Sequence, residues 1–298
     1  MTDHTVPSPP DTDRRVAVLL EALPYIRQFA GATVVIKYGG AAMTSPELKA
    51  SFARDVALLR LVGMRPVVVH GGGPDISHYS DRLGLEVRFV HGLRVTDAPT
   101  MELVKMVLVG KINKEIVAQI GVAGAAAVGL SGDDGGLIRA VKAESVDADL
   151  GFVGRVDRID PGVLRALGDF VPVVASVGTG PDGESYNINA DTVAGAIAEA
   201  IGAEKLVYLT DIEGLRRDVA DAASLIRQVT AEELDQLVTD GVIAGGMIPK
   251  VASCTHAVRR GVHRAHILDG RIAHVLLLEI FTDAGIGTMI MNERETAA

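Results

Sequence analysis

Along most of the chain, short apolar runs of β type alternate with longer stretches whose apolar positions recur every three or four residues. The short runs predict buried strands, since the strands of a parallel sheet are covered on both faces. The longer stretches predict amphipathic helices, as at 47–62 and 100–120. Strands that alternate with helices are typical of a parallel sheet with helices on both faces. The predicted strands are 34–37, 66–70, 125–130, 171–176, 205–210 and 263–268.

Three segments depart from this alternation. Residues 1–13 carry three prolines among polar residues and too little apolar content to pack, so they predict a disordered tail. Apolar residues from Val16 to Ile26 then recur at helical spacing, and Pro24 predicts a kink because it lacks an amide hydrogen. This helix either covers its own domain or contacts a second subunit. Residues 137–159 alternate as strands do and predict an antiparallel hairpin appended to the main sheet.

The composition indicates a globular protein that acts on small molecules. The 298 residues with 48% hydrophobic content can form a large core in one domain or in two lobes. A formal net charge of −9 and a pI near 5.4 argue against a general affinity for nucleic acid or anionic membranes. Cys254 is the only cysteine, which excludes an internal disulfide framework and fits a reducing compartment. The chain has no apolar run of about 18 residues and no signal sequence, so we expect a cytoplasmic protein.

Glycines follow two of the predicted strands, at the end of the sheet where α/β proteins bind ligands. The first strand leads into Lys37, Gly39 and Gly40, which places a cation beside backbone that can approach an anion closely. The second leads through His70 into Gly71–Gly73 and a helix, where free N–H groups and the helix dipole both favour an anion. Taken alone, the first glycine pair is also compatible with an ordinary turn.

Three further motifs lie beyond the middle of the chain. Residues 178–183 match the G-x-G-x-x-G dinucleotide fingerprint, but a turn rather than a helix follows them, so the match is interpreted as a decoy. Residues 187–191 precede a helix of small residues, where Asn189 either caps the helix or joins a polar ligand site. Lys250 lies in a first helical turn, where the dipole disfavours a cation by roughly 0.3–1 kcal/mol. An anionic ligand would account for Lys250, and an exposed helix lysine is the alternative.

The order of these motifs resembles the amino-acid kinase family. The resemblance runs from about Val34 to Ile290, and six ordered motifs make it far more specific than any one of them. Within the family, it is closest to the branch that phosphorylates N-acetyl-L-glutamate. It implies an α/β fold, an open three-layer αβα sandwich with a mainly parallel central sheet. The motifs are 36–40, 70–73, 92–96, 187–191, 210–215 and 245–250.

The resemblance also implies how the chain is divided. Residues 1–30 would form the tail and the N-terminal helix, ahead of a single kinase domain. Within that domain, residues 31–202 would form the lobe that binds N-acetyl-L-glutamate, and residues 203–298 the lobe that binds ATP with Mg²⁺. No side chain is assigned to a metal ion. The implied reaction yields N-acetylglutamyl 5-phosphate, a step of arginine biosynthesis.

Roles for individual residues follow from the matching positions. Lys37 and Lys250 would stabilise the transferring phosphoryl group, and Asp191 would hold both lysines in place. Arg94 would bind the α-carboxylate of the acceptor. The residues implied to bind the acceptor are Gly72, Gly73, Arg94 and Asn187. The residues implied to line the nucleotide are Gly39, Gly40, Asp211, Gly214, Leu215, Gly245, Gly246 and Met247.

The implied chemistry explains why the chain has lysines and glycines at its motifs and no convincing Ser/His/Asp or Cys/His constellation. A γ-carboxylate with a pKa near ~4.3 is ionised at pH 7, so no general base is required. The difficulty is to bring this anion against a polyanionic triphosphate. Catalysis must therefore come from positioning and from positive charge on the transition state.

Two features resemble the arginine-inhibited, hexameric branch of the family: the kinked helix before the first strand and the C-terminal segment 278–288. They imply a homo-oligomer, a hexamer built as a trimer of dimers, with L-arginine as an inhibitor whose guanidinium suits an acidic residue. A plain C-terminal strand and loop is the alternative. The residues implied to lie at the arginine site are His266, Glu279, Gly285 and Gly287. In one departure from the family pattern, Asp133 stands where many relatives carry lysine, which would alter the charge at the edge of the acceptor lobe.

Two other functions stay open at this point. One is another kinase of the same fold, acting on glutamate, aspartate, carbamate or uridylate. The chain leaves no length for an appended regulatory or RNA-binding domain, which disfavours the glutamate and aspartate versions. The other is a non-catalytic arginine-binding regulator, against which the presence of Lys37, Asp191 and Lys250 argues. Neither nucleic acid nor membrane is expected as a partner.

Overall fold

The computed structural model describes residues 12–43, 45–146, 148–218, 220–245, 247–282 and 285–292. Its strands are Thr33–Tyr38 (β1), Arg65–His70 (β2), Phe89–Val90 (β3), Leu93–Arg94 (β4), Ala127–Ser131 (β5), Ile138–Lys142 (β6), Val153–Ile159 (β7), Val171–Ala175 (β8), Val177–Thr179 (β9), Ser185–Ile188 (β10), Lys205–Thr210 (β11), Gln228–Thr230 (β12), Arg264–Asp269 (β13) and Thr288–Met291 (β14). Its α-helices are Thr12–Phe29 (α1), Pro46–Leu61 (α2), Gly73–Leu83 (α3), Ala98–Lys105 (α4), Asn113–Val122 (α5), Gly162–Ala166 (α6), Ala190–Ile201 (α7), Ala231–Thr239 (α8), Met247–Arg259 (α9) and Val275–Phe281 (α10).

The central sheet has eight strands in the order β12-β14-β13-β11-β1-β2-β8-β5. All neighbouring strands are parallel except β13 and β14. Side chains of β1 alternate between two apolar cores, with Val34 and Ile36 in one and Val35 in the other, because successive side chains of a strand point to opposite faces. Helices cover both faces, and the predicted α/β sandwich with a mainly parallel sheet is confirmed.

The two halves of the sheet come from the two halves of the chain. Strands β1, β2, β5 and β8 precede residue 203, strands β11 to β14 follow it, and the halves join where β1 pairs with β11. The division into an acceptor lobe and a nucleotide lobe stays a prediction, since the sheet is continuous across that boundary.

The predicted strands all occur, with ends that differ by at most two residues from those expected. The helix predicted over 47–62 is α2, which Ser45 caps through a hydrogen bond from the Leu48 amide. The helix predicted over 100–120 is interrupted: a π-helical segment, Met106–Ile112, joins α4 to α5. Sequence periodicity missed this segment because a π turn shifts the apolar stripe by only one residue.

The predicted hairpin forms as β6 and β7, which pair antiparallel. The expectation that this hairpin extends the main sheet is wrong. The hairpin instead closes with β9 and β10 into a separate four-stranded barrel. The barrel is tight enough to need a glycine: a Cβ at Gly178 would lie 2.8 Å from Cδ1 of Ile188. The G-x-G-x-x-G match covers β9 and the turn before β10, so the interpretation of that match as a decoy is confirmed.

Helix α1 begins within the segment that the sequence assigned to the tail. Residues 1–11 lie outside the described residues, whereas Thr12 and Asp13 already belong to α1. Pro24 lies inside the helix, and the kink there stays a prediction. Among the described residues, no helix is both long and apolar enough to cross a membrane.

A buried contact joins α2 to the turn before α10. Asp55 is 1% exposed, and its Oδ1 lies 2.5 Å from Nδ1 of His274. The amide of His274 donates to Oγ of Ser51 at 2.8 Å. Both contacts hold His274 in a left-handed conformation, φ 59°, which a residue with a side chain adopts at some cost. Burial raises the pKa of Asp55 to about 6, although its hydrogen bond with His274 opposes the shift.

This raised pKa predicts how stability depends on pH. The folded protein binds the proton of Asp55 more tightly than the unfolded chain does. The contribution of this proton to the free energy of unfolding is therefore complete below about pH 4 and is lost as the pH rises through about 6. Asparagine cannot titrate. The unfolding free energy of the wild type minus that of Asp55→Asn should therefore fall by up to about 3 kcal/mol over this range.

Chemical denaturation at successive pH values measures this difference. Ser51→Ala is the matched control, because it removes a neighbouring contact without a titrating group and should cost about 1 kcal/mol at every pH. A difference between the wild type and Asp55→Asn that stays constant from pH 4 to pH 6 would contradict the prediction.

Candidate active site

Three charged side chains meet at the carboxyl-terminal edge of the central sheet. Lys37 comes from β1, Asp191 from the first turn of α7 and Lys250 from the first turn of α9. Oδ1 of Asp191 lies 2.9 Å from Nζ of Lys37, and Oδ2 accepts a hydrogen bond from Nζ of Lys250 at 2.8 Å. One carboxylate thus bridges two ammonium groups. The side chain of Lys250 is 10% exposed, so Lys250 is not the exposed helix lysine of the alternative interpretation.

The electrostatics of this cluster favour an anionic ligand. Burial raises the pKa of Asp191, but the ion pairs with Lys37 and Lys250 outweigh burial and hold that pKa below its ordinary value. Asp191 is therefore ionised at neutral pH, and two ammonium groups against one carboxylate leave one net positive charge. The amino ends of α7 and α9 add the positive end of a helix dipole to the same place.

The backbone of Asp191 is fixed from two sides. Oδ1 of Asn189 accepts hydrogen bonds from the amides of Asp191 at 2.7 Å and Thr192 at 3.3 Å, which is the predicted cap. The hydroxyls of Tyr208 and Ser253 each lie 3.1 Å from the Asp191 carbonyl oxygen. Sequence reasoning missed Tyr208 and Ser253, because a tyrosine within an apolar strand is typical of a core residue and only its polar tip hints otherwise.

The four residues predicted to bind the acceptor come together around one cavity of about 160 Å³. Arg94 contributes a charged side chain to the lining of this cavity. Nη2 of Arg94 donates to the Gly73 carbonyl at 3.0 Å and to Oγ of Ser77 at 2.6 Å. Nη1 is buried and has no hydrogen-bond partner within the part of the chain that the structure describes. A buried guanidinium nitrogen without a partner at the wall of a small cavity fits an anionic ligand.

Other contacts shape this cavity. Asn187 donates from Nδ2 to Oγ1 of Thr96 at 3.2 Å, and no side chain caps the amino end of α3 at Gly72. The Arg94 guanidinium lies 4.7 Å from the ring centroid of Phe89. Burial lowers the pKa of Arg94, yet an arginine keeps its charge at neutral pH. Sequence reasoning missed Phe89, which is exposed on one side and belongs to no motif.

A second cavity, of about 340 Å³, opens at the end of β11. The predicted nucleotide residues Asp211, Gly214, Leu215 and Met247 line it. Gly39 lies instead against Lys37, whose Nζ would be 3.4 Å from a Cβ at that position. Residues that line the cavity and were not predicted are Arg216, Val242, Ile243, Ala244 and Arg271. Gly40 and Gly245 do not line it, and Gly246 lies outside the described residues.

The strand order explains how the two cavities relate to the lysines. The smaller cavity opens at the glycine loop after β2, the larger one at the loop after β11, and β1 lies between these two strands. Lys37, near the end of β1, therefore lies between the cavities. This arrangement can hold two anionic ligands on either side of a shared positive charge.

The residues predicted to bind arginine also come together, around a third cavity of about 220 Å³ that Tyr25 and Phe29 of α1 help to line. Nδ1 of His266 lies 2.8 Å from Oε1 of Glu279, and the amide of Ile286 donates to Oε2 at 2.8 Å. Burial lowers the pKa of His266. Burial also raises the pKa of Glu279, but the hydrogen bond from His266 and those from the backbone outweigh it. The pair is thus a neutral imidazole beside an ionised carboxylate.

Asp133, the departure from the family pattern, is partnered in the barrel. Its Oδ2 lies 3.4 Å from Nζ of Lys105, and its Oδ1 accepts a hydrogen bond from Oγ1 of Thr179 at 2.5 Å. The charge of Asp133 is thus paired with Lys105, which does not belong to the lysine cluster.

The chain is similar to known proteins over most of its length. It is 57% identical to the acetylglutamate kinase of Heliobacterium modesticaldum, over 93% of this chain and 98% of that protein. It is similar to the N-acetylglutamate synthase of Neisseria gonorrhoeae solved with coenzyme A and N-acetyl-glutamate, at 29% identity and a TM-score of 0.83. The match covers 93% of this chain and 63% of that one, so this chain spans less than two thirds of the synthase. The same synthase solved with coenzyme A and L-arginine is 27% identical, with a TM-score of 0.76 over 93% of this chain and 65% of that one.

The family assignment rests on a match over most of the chain. Residues 32–269 match the amino acid kinase family, a range that contains Lys37, Asp191 and Lys250 and both cavities' glycine loops. The resemblance that the ordered motifs indicated is confirmed. The chain belongs to the amino acid kinase family.

Proposed function

We propose that this chain transfers the γ-phosphoryl group of ATP to the γ-carboxylate of N-acetyl-L-glutamate, forming N-acetylglutamyl 5-phosphate in the biosynthesis of arginine. The observation that carries the proposal is the single carboxylate of Asp191 bridging Lys37 and Lys250 between the two cavities. The high identity to a protein named acetylglutamate kinase supports the choice of acceptor.

In this mechanism, the acceptor carboxylate attacks the γ-phosphorus directly. It is already an anion at pH 7, so no residue needs to remove a proton. A carboxylate oxygen forms the new bond to phosphorus, the bond from phosphorus to the β–γ bridging oxygen breaks, and ADP leaves with that oxygen. Lys37 and Lys250 neutralise the charge that the two anions bring together. Asp191 holds both ammonium groups in place and does not react.

The acceptor is recognised by its own carboxylate and by the size of its cavity. Arg94 turns its unpartnered Nη1 to the α-carboxylate, and the Gly72 and Gly73 backbone lies beside the reacting end. Asn187 borders the same cavity. The acetyl group masks the amino charge of glutamate, which suits a cavity that lacks a carboxylate among its lining residues.

The nucleotide occupies the cavity at the end of β11, and the substrate is MgATP. Among the described residues, no group of three or more His, Cys, Asp or Glu side chains can hold a metal ion. Mg²⁺ prefers to keep several waters and to bind through substrate phosphates, so it enters with the nucleotide. When bound, it offsets phosphate charge; the protein supplies the two lysines, the glycine backbone and the cavity walls.

Arginine inhibition and a hexameric, cytoplasmic enzyme complete the proposal. The cavity around Glu279 carries both signs of charge, since Lys205, Arg227 and Arg264 also line it, as a zwitterion with a cationic side chain requires. L-Arginine is present in the structure of the synthase relative. Helix α1 lines this cavity and exposes Val16, Leu20 and Leu23 by 47%, 61% and 47%, which favours a second subunit on its other face. The assembly is a trimer of dimers.

The first experiment is a coupled assay that measures ADP release with ATP and each of five acceptors: N-acetyl-L-glutamate, glutamate, aspartate, carbamate and uridylate. We expect turnover with the acetylated acid and, at most, background with the others. Activity on free glutamate without activity on its acetylated form would overturn the proposal. An enzyme that binds arginine and turns over none of the acceptors would favour a non-catalytic regulator.

The second experiment removes the lysine charges one at a time. Lys37→Ala and Lys250→Ala should each lower kcat by about 100-fold or more, because each takes away positive charge that the transition state uses. Circular dichroism and thermal melting establish that both variants fold. Lys105→Ala is the matched control: this lysine contacts Asp133 and Ser185 in the barrel, so kcat should stay within about twofold. Full turnover by either of the first two variants would remove the proposed mechanism.

The third experiment tests the N-terminal helix. Deletion of residues 1–28 should reduce the assembly to dimers and weaken arginine inhibition, because it removes the exposed apolar face of α1 and one wall of the arginine cavity. Light scattering gives the mass, and kinetic assays with arginine give the inhibition. Deletion of residues 1–11 alone leaves α1 whole and is the control. An unchanged mass after the longer deletion would contradict the role of the helix.

A further inference from the structure

Two buried polar side chains lie directly behind the glycine loop of the smaller cavity. His70 ends β2, one residue before Gly71, and Asn113 begins α5 on the neighbouring layer; both are 0% exposed. Neither belongs to the lysine cluster, and neither lines the cavity. Polar groups buried so deeply are costly unless they are fully hydrogen-bonded, so their contacts indicate what they hold in place.

The hydrogen bonds define one arrangement of protons. Nδ2 of Asn113 lies 2.8 Å from the Val173 carbonyl oxygen, 3.1 Å from Nε2 of His70 and 3.3 Å from the Leu130 carbonyl oxygen, so its two hydrogens are shared among three acceptors. An ammonium group only donates, and Lys114 Nζ lies 3.2 Å from Oδ1 of Asn113, which supports this orientation of the amide. An amide nitrogen does not accept hydrogen bonds, so Nε2 of His70 is the acceptor in its contact with Nδ2. The imidazole hydrogen therefore sits on Nδ1, which donates to the Gly71 carbonyl at 3.0 Å.

The neutral imidazole is the form that the surroundings favour. Burial lowers the pKa of His70 to about 4, with a smaller contribution in the same direction from Lys114 and an opposing one from the Gly71 carbonyl. A protonated ring would turn a second donor toward the donating amide of Asn113. Two hydrogen bonds, from Asn113 to His70 and from His70 to the Gly71 carbonyl, form what is here called the relay. At neutral pH, each of these bonds keeps the same donor and the same acceptor.

A steric contact acts on the same loop from the π-helical segment. A Cβ at Gly72 would lie 2.2 Å from Cδ1 of Ile112 and 2.7 Å from Cδ2 of Leu108. Both residues belong to the segment Met106–Ile112, which directly precedes Asn113. The extra residue of a π turn rotates the next helix by about 100° relative to a regular helix. The segment therefore presses side chains against Gly72 while it turns Asn113 toward His70.

We propose that His70 and Asn113 are positioning residues for the acceptor: their relay fixes the Gly71 peptide, and the π-helical segment packs against Gly72, so that the loop presents its backbone N–H groups to an acceptor carboxylate. The inference rests on the proposed function for the identity of that acceptor. It gives the π-helical segment a role, since such segments are often found at functional sites. Preorganised N–H groups of this kind bind anions without a cost of rearrangement.

Two substitutions of His70 separate the ends of the relay. In His70→Asn, the side-chain amide nitrogen takes the place of Nδ1 and still donates to the Gly71 carbonyl. In His70→Gln, the amide reaches the place of Nε2 and loses that donor. We expect His70→Gln and Asn113→Leu to raise the KM for N-acetyl-L-glutamate about tenfold, with the KM for ATP within about twofold of the wild type. His70→Asn keeps the donor to Gly71, so its KM for N-acetyl-L-glutamate should rise less than that of His70→Gln.

Ser51→Ala is the control for general loss of stability, because Ser51 contacts His274 and lines neither the smaller nor the larger cavity, and both KM values should be unchanged. A parallel rise of both KM values in His70→Gln, or equal effects of His70→Asn and His70→Gln on the acceptor KM, would overturn the inference. So would unchanged acceptor KM values in both His70→Gln and Asn113→Leu.

Hydrogen exchange of the peptide that covers residues 70–76 tests the positioning without any substrate. Exchange should be about fivefold faster or more in His70→Gln and unchanged in His70→Asn. If the wild type phosphorylates none of the acceptors, the proposed function fails while this measurement still decides whether the relay holds the loop. Unchanged exchange in His70→Gln, beside a wild type that is active on N-acetyl-L-glutamate, would reject the relay and leave the proposed function intact.

Discussion

The structure depends most on one buried carboxylate that two cations share. Lys37 and Lys250 come from opposite ends of the chain, and their ammonium groups repel each other, more strongly where water is scarce. Asp191 makes their approach possible by lying within hydrogen-bond distance of both. Removing such a bridge would leave two buried charges uncompensated, which is far costlier than losing an exposed ion pair. The positions of β1, α7 and α9 are thereby linked through a single side chain.

The fold surrounds this cluster with further groups that favour anions. Helices α3, α7 and α9 all begin at the carboxyl-terminal edge of the sheet, so their amino ends add positive dipole ends there. The whole chain carries a net charge of −9, yet this edge is locally positive. The acidic remainder disfavours nonspecific attraction of polyanions, and the local positive charge favours small anions at this edge.

Close backbone approach is the second constraint. A side chain at Gly72 would collide with the π-helical segment, and one at Gly178 would collide with the barrel core. Of these two glycines, Gly72 lines the small cavity of about 160 Å³. Behind its glycine loop lie two buried polar side chains, His70 and Asn113. Both ring nitrogens of His70 and the amide nitrogen of Asn113 have hydrogen-bond partners. Under the proposed function, the binding of the acceptor depends in part on residues that it does not touch.

The sequence by itself determined the strands, most helices, the positions of the glycine loops and the family, because periodicity and turn chemistry are local properties that can be recognised without coordinates. Only the tertiary structure decided that Lys37 meets Lys250 across Asp191, since this depends on β1 lying between β2 and β11. It alone brought Tyr208 and Ser253 to the Asp191 carbonyl and Asn113 to His70 behind the glycine loop. These side chains look like core or capping residues in sequence, and their partners are set by which distant elements the sheet order makes neighbours. The separate barrel was missed for the same reason: a hairpin pattern does not say which other strands will close against it.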